Sequence, residues 1–274
     1  MTNNNLAGTG EVRSAFYAGS FYPAEKEVLS KMISDFLKQA NVQAQEKVKF
    51  KTEKESKQQK FLGKLKAIIV PHAGYIYSGA TAAFAFKLIG EVKPKRIILL
   101  GPSHYDYLEG AFGFEGVWAT PLGKTKVSKS GLNIIKGDCE HSLEVELPFL
   151  QSVINDFEFV PVIYGEINPI DLGHIASELK NEETVFVISS DLSHYLSYDL
   201  AKKIDNETIS AILSLNLEKF IEIGDACGKT GIAALLSLAK KNNWKAQLLD
   251  YRNSGDTAGD KNGVVGYCAI AFFE

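Results

Sequence analysis

Three runs of apolar, largely β-branched residues dominate the hydrophobic pattern of the chain: Leu65–Val70, Arg96–Leu100 and Thr184–Ile188. Continuous apolar runs of this length are typical of strands buried on both faces of a parallel sheet. The apolar residues of Ala24–Ala40 and Ala80–Ile89 recur at helical spacing, which predicts helices that cover such a sheet. The pattern therefore predicts an α/β fold with a mainly parallel central sheet flanked by helices.

The rest of the chain divides in the same way. Further helices are predicted at Ser142–Ile154, Pro169–Leu179, Leu200–Leu213, Leu217–Ile223 and Thr230–Lys240, and further strands at Phe157–Tyr164, Ala246–Tyr251 and Val264–Phe273. In Ser142–Ile154 we expect Ser142 to cap the helix and Pro148 to kink it or mark its start. Gly-punctuated Ala111–Val127 predicts a small β excursion. The Lys-, Gln- and Glu-rich segment Asn41–Lys60 predicts a mobile insertion within one domain spanning 1–274.

Composition narrows the class of protein. The 30 Lys and Arg nearly balance the 33 Asp and Glu, without a basic stripe that would follow nucleic-acid phosphates. No apolar run approaches the roughly 20 residues that span a bilayer, and Met1–Gly10 is polar, without a signal-peptide pattern. The three cysteines are odd in number and widely scattered, which favours a reducing compartment. We therefore expect a cytoplasmic protein that binds neither nucleic acid nor membrane.

Each of the three apolar runs is followed closely by a histidine: His72, His104 and His194. Open α/β folds build their sites at the carboxyl ends of their strands. If the three strands are neighbours, their imidazoles could converge on one metal or one substrate. His72 and His104 are the leading pair of metal ligands.

The third ligand has two candidates. Cys227 precedes Gly228 at the start of the predicted helix Thr230–Lys240, where the helix N-terminus favours a thiolate. Asp191, just beyond the third strand, is the competing carboxylate. His194 could be a ligand, but we expect it to act, beside Asp191, as an acid and base near neutral pH.

Each of these candidate residues can also have a purely structural role. A histidine after a buried strand can simply bond a backbone carbonyl, and Cys227 and Cys268 can be small buried apolar residues. Cys139 and His141 form only a weak metal-ligand pattern. His174 is expected at the surface. The tyrosines Tyr17, Tyr75 and Tyr77 can be packing residues, although Tyr75 and Tyr77 follow His72 closely enough to form a pocket wall.

Eight segments, which follow one another in the family's order along nearly the whole chain, resemble the Memo-like family, known in microbes as AmmeMemoRadiSam system protein B. They are Phe16–Pro23 (FYAGSFYP), Val70–Gly79 (VPHAGYIYSG), Gly101–His104 (GPSH), Trp118–Gly123 (WATPLG), Glu140–Leu150 (EHSLEVELPFL), Ser190–His194 (SDLSH), Ala226–Gly228 (ACG) and Ser254–Tyr267 (SGDTAGDKNGVVGY). The family is similar in fold to the class III extradiol dioxygenases, non-haem iron enzymes that cleave catechol-type rings with O2. The resemblance therefore implies an extradiol-dioxygenase-like α/β domain.

The resemblance also implies roles for particular residues. His72, His104 and Cys227 match the metal ligands, with Asp191 and His194 beside them and His141 nearby. The dioxygenases use a carboxylate where this chain has Cys227, and a thiolate favours copper or zinc more than a carboxylate does. Iron(II) is the expected metal, with copper and zinc as alternatives. The family name implies a functional association with an AMMECR-type protein and a radical SAM enzyme.

Three functions follow as hypotheses. The first is an iron-dependent, oxygenase-like enzyme in which a small aromatic or phenolic substrate contacts Tyr17, Tyr75, Tyr77 and His141. The second is a metal-assisted hydrolase that uses zinc-activated water at the same ligands. The third is a non-catalytic module that binds a ligand or peptide in the pocket.

Overall fold

The computed structural model describes residues 11–40, 63–136 and 140–274. Its strands are β1 (Val12–Arg13), β2 (Leu65–Val70), β3 (Arg96–Pro102), β4 (Ala111–Gly113), β5 (Val117–Thr120), β6 (Gly123–Lys126), β7 (Glu158–Tyr164), β8 (Thr184–Ser189), β9 (His194–Leu196), β10 (Lys245–Asn253) and β11 (Val264–Phe273). Its helices are α1 (Lys26–Gln39), α2 (Tyr75–Val92), α3 (His141–Glu144), α4 (Leu147–Val153), α5 (Pro169–Leu179), α6 (Tyr198–Leu213), α7 (Leu217–Ile223), α8 (Lys229–Lys241) and α9 (Ser254–Thr257). The predicted insertion Asn41–Lys60 and Cys139 lie outside the described residues.

The centre of the main sheet consists of four parallel strands in the order β2, β8, β3, β7. Antiparallel strands extend both edges, with β11 and β10 beyond β2 and β4 beyond β7. The sheet is therefore mixed around a parallel centre. The α/β architecture predicted from the apolar runs is confirmed. The antiparallel edges follow from the β10–β11 hairpin and from the β excursion after β3.

Side chains that alternate along each central strand enter two hydrophobic cores, one on each face of the sheet. In β2, Ile68 and Val70 face one core, and Ala67 and Ile69 face the other. Helices α1, α2 and α4 cover the first face, and α5, α6, α7 and α8 cover the second. Burial on both faces explains why the interior positions of these strands are almost all apolar.

Most predicted elements are confirmed, and several coincide with the structure from end to end. The predicted and observed elements differ in the segments Ser142–Ile154 and Ala111–Val127. The predicted helix Ser142–Ile154 divides into α3 and α4, and Glu140 rather than Ser142 is the N-cap residue of α3. Pro148 lies in the first turn of α4, where its missing N–H costs nothing. The segment Ala111–Val127 contains β4, β5 and β6, and β5 and β6 join β1 in a separate three-stranded sheet.

The sheet order brings the three histidine-bearing segments to one edge. Strand β8 pairs with β2 on one side and with β3 on the other, so the carboxyl ends of these strands are adjacent. His72 follows β2, His104 follows β3, and Asp191 follows β8. Among the helices of the described ranges, none has the length and apolar character needed to cross a membrane.

Candidate metal centre

Three imidazoles converge above the carboxyl ends of the central strands. One ring nitrogen each from His72, His104 and His141 lies within 4.8 Å of the others. The ring centroids are 5.1 Å apart for His72 and His104, 5.1 Å for His72 and His141, and 4.5 Å for His104 and His141. His72 and His104 therefore lie together, and His141 joins them from the start of α3. His194, the third histidine considered from the sequence, is outside this group.

The imidazole of His72 contacts the hydroxyl group of Ser189, the last residue of β8. The ring is buried, and its Nδ1 lies 2.8 Å from Ser189 Oγ. The backbone N–H of His72 donates to Asp191 Oδ1 at 2.8 Å, which fixes the turn after β2. Burial, together with the neighbouring His141 and His104, lowers the pKa of His72 well below its usual value. The ring is therefore neutral, and its Nε2 is directed away from Ser189.

His104 is held by a buried carboxylate, Glu140. Glu140 accepts the backbone N–H of His104 at 2.6 Å, and its Oε1 lies 2.8 Å from His104 Nδ1. It also accepts the backbone N–H of Ser142 at 2.9 Å, as the cap of α3. Burial alone would raise the pKa of Glu140, but these hydrogen bonds hold it well below its usual range. Glu140 is therefore ionised, and it leaves His104 Nε2 free to act as a ligand.

His141 differs from the other two because its buried nitrogen lacks a hydrogen bond. Its Nδ1 lies 3.0 Å from Glu140 Oε1 without the alignment of a hydrogen bond, and it has no other partner among the described residues. The side chain is 13% exposed. The contact with His141 also contributes to lowering the pKa of Glu140. His141 thus reaches the cluster from the first turn of α3 while its Nδ1 faces the same carboxylate that holds His104.

Cys227 contacts His72 but is not among the three residues whose ligand atoms lie within 4.8 Å of one another. Its Sγ is 3.2 Å from His72 Nε2, and it accepts the backbone N–H of Asp191 at 3.2 Å. Burial, with the nearby Asp191, raises the pKa of the Cys227 thiol to about 12. Burial therefore outweighs the expected effect of the helix N-terminus, and the metal-free protein keeps a neutral thiol. A coordinated cation reverses this balance, because metals bind the thiolate.

Asp191 and His194 lie near the cluster: Asp191 accepts the backbone N–H of His72, and His194 is close enough to influence the pKa of His72. Asp191 is buried, and burial raises its pKa to about 7 against the hydrogen bonds from His72 and Ala73. His194 begins β9 and is half-buried, and burial lowers its pKa. Asp191 therefore changes protonation state near neutral pH, whereas His194 is predominantly neutral there.

Aromatic side chains form one wall of the site. The rings of Tyr17, Phe21 and Tyr105 lie 5.6, 5.0 and 5.6 Å from His141, and Tyr105 is largely exposed. Tyr77 is partly exposed on α2. Tyr75, by contrast, is buried and donates its hydroxyl to the carbonyl of Val145 at 2.6 Å, which is the position of a packing residue and not of a pocket wall.

The remaining sequence candidates have simpler surroundings. His174 is exposed on α5, as expected. Cys268 is buried within β11, where it packs as a small apolar residue. Burial raises the pKa of its thiol well above the usual value.

The donor atoms lie near the spacing that a single metal ion requires. Ligands bound to one ion at about 2.0–2.3 Å lie at most about 4.5 Å apart. The 3.2 Å separation of His72 Nε2 and Cys227 Sγ falls within this limit. The three imidazole nitrogens lie within 4.8 Å of one another, slightly beyond it, and this group does not include Cys227. Imidazole with thiolate suits copper or zinc, and imidazole alone also suits iron. The residues therefore accommodate the metal that the resemblance implies.

Two of the residues that organise the site were not predicted from the sequence. Glu140 and Ser189 are ordinary polar residues at the end of a loop and of a strand. Only their contacts with His104 and His72 show what they do. His141 was visible as a histidine in a matching segment, but its convergence with the ligands depends on where α3 packs.

Comparison with known proteins identifies the family to which this chain is similar. The family model described as "Memo-like protein" matches residues 13–271. The MEMO1 family protein of Thermoplasma acidophilum is 34% identical over 280 residues, covering 94% of this chain and 97% of the relative. The MEMO1 family protein of Aquifex aeolicus is 36% identical over 284 residues, covering 95% and 99%. That of Nitrosopumilus maritimus is 32% identical over 285 residues, covering 95% and 99%.

Proposed function

The chain belongs to the Memo-like protein family, and on this premise we propose that it is a metal-dependent oxidoreductase acting on a small aromatic or phenolic substrate. His72 and His104 bind the metal, with Cys227 or His141 as the third ligand. Iron(II) is the proposed metal, with copper as the alternative. When bound, the metal supplies redox chemistry and open coordination positions.

The observation that supports a metal most strongly is the way the two histidines are oriented. His72 Nδ1 contacts Ser189, and His104 Nδ1 contacts Glu140. Each imidazole is therefore held by a polar partner on one nitrogen while the other nitrogen faces the cluster. This is the arrangement in which proteins fix the tautomer of metal-binding histidines.

The surrounding residues contact the substrate, transfer a proton and position a metal ligand. Tyr17, Phe21 and Tyr105 pack around His141 and provide flat apolar surfaces for an aromatic ring. His194 takes or gives the proton of a phenolic hydroxyl. Asp191 fixes the turn that carries His72 through its hydrogen bond to the backbone of that residue.

Metal content is the first test. Protein purified without oxygen is analysed for metals as wild type, His104→Ala and Cys227→Ala, with His174→Ala as the matched control on an exposed helix face. We expect near-stoichiometric iron in wild type and His174→Ala, and its loss in His104→Ala. Iron-loaded wild type should then consume oxygen with at least one member of a panel of phenols and catechols. Metal-free protein from every preparation would contradict the proposal.

A metal-dependent hydrolase is the second candidate, and the third imidazole favours it. Three histidines with an open position are a ligand set of catalytic zinc. Activity with zinc under argon would establish this alternative, because hydrolysis needs no oxygen. A protein that binds a ligand with the metal present but turns nothing over would instead be a binding module.

The cellular setting is also part of the proposal. We place the protein in the cytoplasm, with an AMMECR-type protein and a radical SAM enzyme as partners, because the resemblance implies that association. Co-purification from cells that express all three proteins would test it.

A further inference from the structure

A second carboxyl group lies behind the metal centre, at Glu146. It is 1% exposed and precedes α4, but its side chain does not cap that helix. Instead, its Oε1 lies 3.0 Å from Ser189 Oγ, the same hydroxyl that contacts His72. Among the described residues, no cation lies within ion-pair distance of this carboxyl group.

The three contacts of the Ser189 hydroxyl determine where the protons lie. Ser189 Oγ is 2.5 Å from the carbonyl oxygen of Ser142, 2.8 Å from His72 Nδ1 and 3.0 Å from Glu146 Oε1. A carbonyl oxygen can only accept, so the single hydroxyl hydrogen goes to Ser142. Any other placement would bring two acceptor oxygens to 2.5 Å with no hydrogen between them.

Ser189 Oγ must then accept from its other two neighbours. His72 therefore has its hydrogen on Nδ1, which leaves the lone pair of Nε2 for the metal. Glu146 must supply the other hydrogen. We propose that Glu146 is a neutral carboxylic acid that donates to Ser189 and, through it, positions His72; this inference rests on the proposed metal site.

The surroundings of Glu146 support the neutral form. Burial, together with the nearby Asp191, raises the pKa of Glu146 well above its usual value, against the lowering effect of the Ser189 hydrogen bond. Tyr75 also lies near Glu146, and burial raises the pKa of that hydroxyl as well. In the described part of the chain, no lysine or arginine forms an ion pair with Glu146 that would compensate for its ionisation.

The two metal-binding histidines are thus supported in different ways. Glu140 gives His104 a direct, ionised partner, which makes its imidazole a stronger donor. Glu146 gives His72 only an indirect, uncharged one. The same isosteric substitution should consequently have different effects at the two carboxyl groups, because glutamine can replace a neutral acid but not a carboxylate.

Metal affinity provides the first readout, measured by competition with a chromophoric chelator for zinc and, without oxygen, for iron(II). Glu140→Gln should weaken binding by about 10- to 100-fold, and Ser189→Ala by about 10-fold. Glu146→Gln should remain within about twofold of wild type. Weakening of Glu146→Gln to the level of Glu140→Gln would overturn the proposal.

Infrared difference spectroscopy provides a readout that needs no metal. Subtracting the spectrum of Glu146→Gln from that of wild type at neutral pH should leave the carbonyl band of a protonated carboxylic acid. A pair of carboxylate bands in its place would overturn the proposal. If wild type binds no metal but the acid band is present, the proposed function fails while the assignment of Glu146 stands.

Discussion

The buried carboxylate of Glu144 should be one of the most sensitive positions for stability. It accepts hydrogen bonds from Arg13 Nη1 at 2.5 Å, from the backbone N–H groups of Phe16 and Tyr17 at 3.1 and 2.8 Å, and from the Tyr22 hydroxyl at 2.6 Å. Glu144 is 1% exposed, and the Arg13 side chain is 11% exposed. These bonds hold the segment 13–22 against α3, and with it the ring of Tyr17 against His141.

Glu144→Ala removes the acceptor of all four bonds and leaves the Arg13 charge buried without this carboxylate. Breaking a buried ion pair in this way costs about 3–5 kcal/mol. The separate hydrogen-bond losses do not add to this in full, because the segment 13–22 can detach and let water reach the donors. We therefore expect the free energy of unfolding to fall by about 3–5 kcal/mol in Glu144→Ala. Glu144→Gln should lose about half as much, because a neutral amide oxygen still accepts.

Urea unfolding measures the loss, with the midpoint and slope fitted separately. Arg13 lies 4.3 Å from the centre of the Trp118 ring, so tryptophan fluorescence in a Trp244→Phe background reports detachment of the segment. Asp35→Ala, which breaks the exposed ion pair with Lys31, serves as the control and should leave the midpoint unchanged. A change below about 1 kcal/mol in Glu144→Ala would refute the reasoning, because the charge would then be adequately solvated without its partner.

Three further predictions follow from the same structure. A Cβ at Gly228 would lie 2.6 Å from Ser190 Cβ, so Gly228→Ala should lower stability by about 1–3 kcal/mol, whereas Gly173→Ala, with its nearest contact at 3.5 Å, should be neutral or stabilising in thermal unfolding. Because the pKa of His72 is lowered in the folded state, the unfolded chain binds the extra proton below about pH 6.5, and metal-free protein should lose stability as the pH falls through that value. His72→Asn should flatten this profile in urea titrations across pH, and the exposed-site variant His174→Asn should not. Cys227→Ser should abolish any thiolate-to-metal absorption band of copper-loaded protein, and an unchanged band would exclude Cys227 as a ligand.

The sequence alone determined the secondary structure well, because it depends on local periodicity. Strands Leu65–Val70 and Val264–Phe273, and helices Pro169–Leu179 and Leu217–Ile223, coincide with the structure. Apolar runs buried on both faces and amphipathic helices are visible in any short window of sequence. The placement of His72, His104 and Asp191 after strands was also visible, because it needs only the order of residues.

The tertiary structure alone decided which of these groups meet. The insertion of β8 between β2 and β3 makes the two histidine-bearing ends adjacent to Asp191, and nothing in a single apolar run specifies its neighbours. The same holds for Glu140, which caps α3 in place of Ser142 because its side chain also bonds to His104. Hydrogen bonds between residues 36 or 117 positions apart depend on packing of the whole sheet, whereas helical and strand periodicity depends on the nearest few residues. The sequence therefore determined the candidate ligands His72 and His104, and the fold determined that His141, Glu140 and Ser189 surround them.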